Sequence, residues 1–463
     1  MTLIKSISGI RGTIGGRPGE GLSPVDVVKF TSAFASFIQS RAGKRRITLV
    51  IGRDGRISGD MINRLVCGTL IGMGVDVVDG GLSTTPTIEM AVTAKKADGG
   101  IILTASHNPK QWNALKLLNN KGEFINAEEG AEVLAIAESG NIDYAAVDDL
   151  GKYETDDSFI EDHIQKILAL PLVDVGAIKK RNFRIAIDCV NSTGGIALPP
   201  LLRALGVTQV DELYCEPSGI FPHNPEPLPE NLTEIASRIK EKGADAGFVV
   251  DPDVDRLAIV TETGEMFGEE YTLVAVADYI LRNTPGNTVS NLSSTRALSD
   301  VTLGHGGQYA AAAVGEVNVV RKMKETNAVI GGEGNGGVIY PALHYGRDAL
   351  AGIALFLSFL AREGVTCSAL KASYPSYTIS KNKIELSADI DPDKILETLT
   401  EKYKHENVNT IDGLKIDFKD GWVHLRKSNT EPIIRIYAES RNHELADAKA
   451  KMIMNEIHSI AGS

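Results

Sequence analysis

Short apolar runs alternate with amphipathic segments along most of the chain. In the first amphipathic segment the apolar residues recur at helical spacing: Val27, Phe30, Phe34, Phe37 and Ile38. Ser23 is a favourable N-cap and Pro24 fits the first helical position, so the pattern predicts a helix that begins here. The apolar runs at residues 47–51 and 99–103 predict buried strands. This alternation of helices and strands is typical of an α/β domain.

The same order of helix, apolar strand and polar loop recurs twice more. A predicted helix at residues 232–242 leads into a strand at residues 246–250, which ends in the loop DPDVDR. A basic helix at residues 319–326 leads into a strand at residues 328–330, which ends in GGEGNGG at residues 331–337. The recurrence predicts three related α/β domains. Each has a polar loop at a strand end, where the ligands of parallel sheets bind.

From about residue 372 the pattern changes to short alternating strands and charged helices, which predicts a smaller α+β domain. The predicted fold class is therefore α/β, with three similar α/β domains with mixed sheets plus a smaller C-terminal α+β domain around a central cleft. We predict domains at residues 1–150, 151–262, 263–371 and 372–463.

The chain has 463 residues and a formal net charge of −12. This charge argues against broad binding to nucleic acid or anionic membranes, although a small anion can bind where Lys and Arg are concentrated. No apolar run approaches the roughly 20 residues that span a bilayer, and the first residues lack the pattern of a signal peptide. We therefore expect a cytoplasmic protein. The four cysteines show neither zinc-site nor disulfide spacing, so we expect buried free thiols.

Three carboxylates alternate along the second loop: Asp251, Asp253 and Asp255. Hard oxygen ligands at this density predict a hard cation, with Mg²⁺ the usual one where phosphate is handled. An EF-hand is excluded, because Arg256 occupies the sixth position, where that loop needs glycine. A phosphorylated Asp251, as in an aspartyl phosphatase, remains an alternative.

Ser106 lies in the loop TASHNP that follows the strand at residues 99–103, and Asn108-Pro109 turns the chain directly after it. A lone serine at such a place is more often a cap or turn residue than a nucleophile. The neighbouring His107 need not hydrogen-bond to Ser106. For His223, His305 and His344, which lie in predicted loops, no carboxylate partner is evident.

The third loop matches G-x-G-x-x-G after a strand, but the segment that follows is extended and ends in proline, whereas a dinucleotide site needs a helix there. Its Glu333 and Asn335 can instead bind sugar hydroxyls, since a carboxylate and an amide together accept and donate. A simple glycine turn is the alternative.

A fourth group places two guanidinium groups and small donors within ten residues: Arg426, Ser428, Asn429, Thr430 and Arg435. This mixture suits a phosphate dianion. The alternative is a pair of ordinary surface arginines. Further cations accompany the other loops, namely Arg11, Lys116 and Arg256.

Taken together, the four loops resemble the signature loops of the α-D-phosphohexomutases, in the family's order and over nearly the whole chain: TASHNP, DPDVDR, GEGNGG and RKSNTEP. The resemblance implies three topologically similar α/β domains and a fourth, smaller domain around a central cleft. That arrangement agrees with the recurrence described above.

The resemblance also implies roles for these residues. Ser106 would carry the phosphate and join Asp251, Asp253 and Asp255 in holding Mg²⁺. Arg11 would steady the phosphoryl group, Lys116 would exchange a proton with the sugar hydroxyl, and His107 belongs to the same catalytic loop. The predicted substrate ligands are Arg256, Glu333, Asn335, Arg426, Ser428, Asn429, Thr430 and Arg435.

The implied activity is the interconversion of hexose 6-phosphate and hexose 1-phosphate through phosphoserine, with a hexose 1,6-bisphosphate as intermediate and activator. The sequence EGNGG in the third loop resembles the branch assigned to glucosamine phosphate or mixed hexose phosphates, so we expect a phosphoglucosamine mutase. The alternatives are a phosphoglucomutase/phosphomannomutase, an aspartyl phosphatase and a non-catalytic sugar-phosphate sensor. A monomer and a homo-oligomer are both left open.

Overall fold

The computed structural model describes residues 1–6, 9–386, 391–427 and 433–461. Its strands are β1 Leu3–Ser6, β2 Gly9–Thr13, β3 Thr48–Arg53, β4 Asp76–Leu82, β5 Gly99–Leu103, β6 Trp112–Leu118, β7 Tyr153–Thr155, β8 Arg184–Asp188, β9 Gln209–Leu213, β10 Ala246–Val250, β11 Leu257–Thr261, β12 Asn287–Asn291, β13 Tyr309–Ala312, β14 Ala328–Glu333, β15 Gly337–Ile339, β16 Thr378–Glu385, β17 Asn407–Asn409, β18 Leu414–Phe418, β19 Gly421–Lys427 and β20 Ile433–Ser440.

The α-helices are α1 Pro24–Ala42, α2 Gly59–Gly72, α3 Thr85–Ala94, α4 Ala127–Ser139, α5 Phe159–Leu168, α6 Val175–Arg181, α7 Gly194–Ala204, α8 Thr233–Lys242, α9 Glu269–Asn283, α10 Ala297–Gly304, α11 Glu316–Thr326, α12 Ala349–Glu363, α13 Cys367–Ala372, α14 Pro392–Lys402 and α15 His443–Ala461. No helix among the described residues is long and apolar enough to cross a bilayer.

Two compact units make up the chain. One consists of Met1–Thr272 and Asn335–Ser368, and the other of Leu273–Gly334 and Ala369–Ser463. Three mixed α/β domains precede a C-terminal domain with an antiparallel sheet, as the sequence predicts. The domain limits proposed from the sequence remain predictions.

The first sheet of the first unit has the strand order β1-β2-β6-β5-β3-β4-β7. Its centre is parallel, since β3 runs parallel to both β4 and β5, whereas β6 is antiparallel to β5 and β2. Alternate residues of β3 enter two cores: Leu49 and Ile51 pack with α1 and α2, and Val50 packs with α3. A strand with both faces buried is apolar throughout, which explains the short apolar runs in the sequence.

The helix α1 begins as predicted. Ser23 is its N-cap and forms a capping box with Asp26, and Pro24 is the first helical residue. This local agreement follows from the chemistry of helix N-termini, where side-chain oxygens satisfy backbone N–H groups that have no intrahelical partner.

The second sheet has the order β11-β10-β8-β9, in which β8, β9 and β10 are parallel and β11 is an antiparallel edge strand. Helix α8 covers one face through Ile235 and Ile239. The loop DPDVDR is the connection between β10 and β11, so its carboxylates lie at the carboxyl end of β10.

In the second unit, β12 lies between β13 and β14 and runs parallel to both. Strand β14 continues to Glu333, three residues beyond the predicted strand end. A Cβ at position 331 would lie 2.5 Å from Met323 Sδ, so glycine there lets α11 pack closely against this strand. The C-terminal sheet is antiparallel with the order β16-β20-β19-β18-β17, and its core includes residues of α14 and α15.

All four cysteines are free thiols. Three of them are buried as expected, whereas Cys215 is partly exposed.

Candidate active site

Ser106 lies just after β5, in the first unit, and is 8% exposed. Its φ of +50° is left-handed, a conformation that costs free energy for a residue other than glycine. The Ser106 Oγ donates a hydrogen bond of 2.7 Å to Asp251 Oδ2. Residues 145 positions apart in the sequence therefore meet at the hydroxyl group that the sequence analysis selected.

The backbone of this loop is held by Arg56, whose side chain is 0% exposed. Its guanidinium donates to the carbonyl oxygens of four loop and strand residues, which are Ser106, Asn108, Pro109 and Trp112. The same group pairs with Asp54 Oδ2 at 2.9 Å. Thr104 links Asp54 to the backbone of the loop, since its Oγ1 donates to Asp54 Oδ2 at 2.7 Å and accepts the Ser106 N–H at 2.9 Å.

Sequence reasoning missed Arg56. The available signal was the polar run Gly52-Arg53-Asp54 at the end of β3, next to β5 in the parallel sheet. Loops at neighbouring strand ends meet at one edge, so an arginine shortly after that run was a candidate.

The three aspartates lie together. Asp251, Asp253 and Asp255 are fully buried, and each offers an oxygen within 4.8 Å of the others'. Asp251 Oδ1 accepts the N–H groups of Asp255 and Arg256 at 3.2 and 3.1 Å. Burial, followed by the charges of Asp255 and Asp253, raises the pKa of Asp251 well above its ordinary value.

These carboxylates fit a cation. Asp253 Oδ1 and Asp255 Oδ1 are buried and receive no hydrogen bond from the part of the chain that the structure describes. A buried carboxylate oxygen without a donor is costly unless a positive charge lies beside it. The acidic triad could therefore hold a metal ion, and its oxygen-only donor set suits a hard cation.

Two basic side chains contact the triad from other elements. Lys116 Nζ, from β6, lies 2.8 Å from Asp253 Oδ2 and 3.7 Å from Asp255 Oδ2. Burial acts to lower the pKa of Lys116, but these two carboxylates outweigh it and raise the pKa above its ordinary value. Arg347, which sequence reasoning also missed, donates to Asp255 Oδ2 at 2.6 Å.

The hydroxyl of Thr85 completes the surroundings of Asp253, because its Oγ1 donates to Asp253 Oδ2 at 2.6 Å. Burial raises the pKa of Asp253, whereas Lys116 and this hydrogen bond lower it, and the net direction is downward. Asp253 is therefore an anion at neutral pH.

The predicted residues Arg11 and His107 both contact the loop that carries Ser106. Arg11 Nη1 donates to Asn108 Oδ1 at 3.0 Å, and His107 Nδ1 lies 3.4 Å from Ser106 Oγ. Burial, followed by the charges of Arg256 and Arg11, lowers the pKa of His107 to about 2. The imidazole is thus neutral at neutral pH. The local concentration of cations that an acidic protein needs to bind a small anion exists in this unit.

Of the third loop, Asn335 lies in the first unit. Its Oδ1 accepts the Gly337 N–H at 3.2 Å, and the adjacent Gly336 carbonyl accepts the Leu257 N–H at 3.0 Å. The loop therefore lies against the residue that follows Arg256. Gly336 has φ +87°, and a Cβ there would lie 2.4 Å from the Leu257 oxygen, so glycine is required.

Glu333 and the arginine pair belong to the second unit. Glu333 Oε1 accepts hydrogen bonds from Asn291 Nδ2 at 2.8 Å and from the Gly315 N–H at 3.0 Å. Arg426 and Arg435 are directly opposite each other on β19 and β20, and Arg426 pairs with Asp412 at 2.9 Å. Like charges across a sheet repel, which favours an anion beside them. Ser428, Asn429 and Thr430 lie outside the described residues.

The expectation that three loop histidines lack carboxylate partners is wrong. His223 lies 3.0 Å from Asp188, His305 lies 2.7 Å from Asp278, and His344 lies 3.2 Å from Asp348. For His223 and His305 the partner comes from a distant part of the sequence. For His344 it is the residue four positions later, which caps α12.

Comparison with known proteins agrees with the family resemblance over nearly the whole chain. The sequence matches the four domains described for phosphoglucomutase/phosphomannomutase: alpha/beta/alpha domain I at residues 3–142, alpha/beta/alpha domain II at residues 161–264, alpha/beta/alpha domain III at residues 268–377 and the C-terminal domain at residues 387–456.

Similar proteins carry two kinds of name. A phosphoglucomutase/phosphomannomutase of Thermococcus kodakarensis is 37% identical over 94% of this chain and 95% of its own length. A phosphoglucosamine/phosphogalactosamine mutase of Sulfurisphaera tokodaii is 32% identical over 98% of this chain and 97% of its own. The crystal structure of a phosphoglucomutase/phosphomannomutase family protein from Burkholderia thailandensis matches with a TM-score of 0.85 and 28% identity, over 100% of this chain and 98% of that one. The chain therefore belongs to the phosphoglucomutase/phosphomannomutase family, the α-D-phosphohexomutases, and is a phosphohexomutase.

Proposed function

We propose that this phosphohexomutase interconverts hexose 6-phosphates and hexose 1-phosphates through a phosphoserine at position 106. The observation that supports this best is the hydrogen bond between Ser106 Oγ and Asp251, a member of a buried acidic triad with two undonated oxygens. A phosphoryl group on Ser106 Oγ would lie next to the carboxylates best suited to hold a cation.

Each transfer exchanges one P–O bond for another. The bond between phosphorus and Ser106 Oγ breaks, and a bond forms between phosphorus and the free hydroxyl oxygen of the hexose monophosphate. That hydroxyl loses a proton and Ser106 Oγ gains one, so charge and protons balance. In the second step the other phosphate of the hexose 1,6-bisphosphate passes to Ser106 Oγ, which loses its proton as the sugar oxygen gains one. The bisphosphate is thus both intermediate and activator.

Asp251, Asp253, Asp255 and an oxygen on Ser106 would hold Mg²⁺. When bound, the cation would neutralise the negative charge that spreads over the phosphoryl oxygens. Arg11 would position those oxygens, and its hydrogen bond to Asn108, two residues after Ser106, supports this role. Lys116 is held as an ammonium by Asp253 and Asp255. It can therefore give a proton to the hydroxyl oxygen of the sugar and take it back. The neutral His107 offers a hydrogen bond without adding charge.

The remaining predicted residues serve substrate binding in this proposal. Arg256 and Asn335 flank Leu257 in the first unit, and Glu333 ends β14 in the second. A carboxylate and an amide suit the hydroxyl or amino groups of a sugar. The arginine pair of β19 and β20 suits the phosphate that does not react.

We further propose glucosamine 6-phosphate as the preferred substrate, because the third loop has the sequence EGNGG. The 2-amino group of this sugar is a donor, and the carboxylate of Glu333 offers acceptor oxygens that complement it. Glucose and mannose phosphates are the second candidates, which the name of the relative at 37% identity favours.

The experiment combines mass spectrometry with a substrate competition. The purified protein is analysed for phosphate at Ser106 and then incubated with Mg²⁺, a trace of bisphosphate and equal amounts of glucosamine, glucose and mannose 6-phosphates. We expect phosphate on Ser106 and the fastest conversion for glucosamine 6-phosphate. Faster conversion of glucose or mannose phosphate would overturn the proposed preference for glucosamine 6-phosphate but not the phosphoserine mechanism.

Two variants test the mechanism. Ser106→Ala should abolish conversion, while Ser40→Ala on the exposed end of α1 should leave it unchanged. If Ser106→Ala still released phosphate from the sugars, an aspartyl phosphatase using Asp251 would replace this proposal. If the wild-type protein bound the sugars but never acquired phosphate, a non-catalytic sugar-phosphate sensor would replace this proposal.

A further inference from the structure

A second cluster of possible metal ligands lies in the first unit, apart from the acidic triad. It consists of His163 on α5 and of His344 and Asp348 in the segment before α12. Their ligand atoms all lie within 4.8 Å of one another. His163 and Asp348 are buried, and the His344 side chain is 12% exposed. The proposed phosphoryl transfer uses none of these residues.

Both imidazole rings face the same oxygen. The Nε2 atoms of His163 and His344 lie 2.9 and 3.2 Å from Asp348 Oδ2. The other oxygen of this carboxylate, Oδ1, accepts the N–H groups of Leu350 and Ala351 as the cap of α12. Asp348 therefore directs one oxygen to the helix and the other to the two histidines.

The opposite ring nitrogens lie next to oxygen acceptors. His163 Nδ1 lies 2.9 Å from Thr87 Oγ1, and His344 Nδ1 lies 3.4 Å from Glu89 Oε2. The Thr87 and Thr84 hydroxyl oxygens lie 2.7 Å apart, so Thr87 Oγ1 can accept from His163 when it donates to Thr84.

Where Nδ1 carries the proton of a ring, its Nε2 presents a lone pair to the carboxylate oxygen unless a cation lies between them. One divalent metal ion or one proton on each Nε2 would satisfy this requirement. Both solutions balance the charges of Asp348 and Glu89. A metal-binding histidine usually donates its other N–H to an oxygen, and an oxygen lies beside the Nδ1 atom of each ring here.

We propose that His163 Nε2, His344 Nε2 and Asp348 Oδ2 form a binding site for a divalent transition metal, with Zn²⁺ as the best match. Two imidazoles and one carboxylate are common zinc ligands, with bond lengths of about 2.0–2.2 Å, and tetrahedral bonds of this length separate ligand atoms by about 3.3 Å. The observed separations of 2.9 and 3.2 Å from Asp348 Oδ2 need only a small expansion. Water can take the fourth position.

The proposed ion would join α3, α5 and the start of α12. Glu89 and Thr87 are on α3, His163 is on α5, and Asp348 is the N-cap of α12. Its role is therefore structural, and it does not depend on the function proposed above.

Zn²⁺ and Co²⁺ titrations test the site. Chelator-treated full-length protein is titrated in millimolar Mg²⁺, which keeps the acidic triad occupied, and bound metal is counted after gel filtration. We expect one Zn²⁺ per chain and a higher Tm with Zn²⁺. The Co²⁺-loaded protein should show the d–d absorption and the imidazole scattering in X-ray absorption that nitrogen ligands give. No binding below about 100 μM Zn²⁺, or oxygen-only coordination, would overturn the proposal and favour protons in the cluster.

Three variants identify the ligands. His344→Gln should weaken Zn²⁺ binding at least about 10-fold, while His405→Gln, at a side chain 68% exposed, should not change it. Asp253→Asn, which removes a triad ligand, should retain the Zn²⁺. Unchanged binding by His344→Gln, or its loss in Asp253→Asn, would contradict the assignment. Because the X-ray absorption is measured on the wild-type protein, the test stands even if a variant does not fold.

Discussion

Arg347 donates a hydrogen bond of 2.6 Å to Asp255 Oδ2, across 92 positions of the sequence. The arginine immediately precedes Asp348, the N-cap of α12, so the start of this helix holds a member of the acidic triad in place. Asp255 Oδ2 lies 3.7 Å from Lys116 as well, whereas Oδ1 receives no hydrogen bond from the described residues and has Arg256 Nε at 4.0 Å.

Replacement of this arginine should make the protein's stability more dependent on Mg²⁺. Arg347→Gln leaves a buried carboxylate with one charged neighbour fewer, so we expect the free energy of unfolding without Mg²⁺ to fall by about 2–4 kcal/mol. Millimolar Mg²⁺ should recover part of this loss. Thermal unfolding with and without Mg²⁺ measures both effects. Arg64→Gln, at an exposed i,i+4 pair, is the control, and an equal response of the two variants would argue against this relationship.

The phosphoserine loop should depend on the shape of the Arg56 side chain. Arg56→Lys keeps the charge, but one ammonium group cannot donate to the four carbonyl oxygens and to Asp54 together. We expect a loss of about 3–5 kcal/mol in the free energy of unfolding, together with a large loss of activity. Urea unfolding and mutase assays check this, with Arg64→Lys as the control. A fully active Arg56→Lys variant would contradict the positioning role.

Buried Glu439 should make the second unit less stable as the pH rises. Burial raises its pKa from 4.5 to about 7, so the folded state binds its proton more tightly than the unfolded state does. The protonated Glu439 therefore contributes about 3 kcal/mol to the free energy of unfolding. This stabilisation is complete below pH 4.5 and is lost as the pH rises through 7. Unfolding measured between pH 5 and 8 should show this slope.

The slope should disappear in Glu439→Gln, which keeps an oxygen to accept the Arg296 N–H. Glu385→Gln, at an exposed carboxylate paired with Lys383, should retain the wild-type slope. Identical pH profiles for wild type and Glu439→Gln would mean that Glu439 does not titrate in this range.

The glycine loop should tolerate no side chain at position 336. Gly336→Ala would place a Cβ 2.4 Å from the Leu257 oxygen at φ +87°, so we expect about 1–3 kcal/mol of destabilisation and a higher KM for sugar phosphate. Gly68→Ala in α2 is a matched control, because no atom lies within 4 Å of the added Cβ. It should stabilise the protein by about 0.5–1 kcal/mol. Chemical denaturation and steady-state kinetics distinguish the two, and an unstrained Gly336→Ala would contradict the loop geometry.

The sequence alone determined the local elements and the loops that carry chemistry. The capping box of α1, the buried strand β5 and the order of β10, DPDVDR loop and β11 follow from residues that are neighbours in the chain. Helical periodicity, caps and short apolar runs act over a few residues, so they can be read without knowing the fold. Residue types at strand ends indicated Ser106 and the aspartates for the same reason.

Only the tertiary structure decided which distant side chains complete these loops. Lys116 and Asp253 are 137 positions apart, Arg56 and Ser106 are 50 apart, and His163 and Asp348 are 185 apart. His344 has one partner of each kind, since Asp348 lies four positions later in the sequence, whereas the packing of α3 brings Glu89 to it. Such pairs depend on strand order, register and helix packing, which no local pattern of hydrophobic and polar residues encodes. Burial then fixes their charges, because desolvation and neighbouring ions act only once the chain has folded.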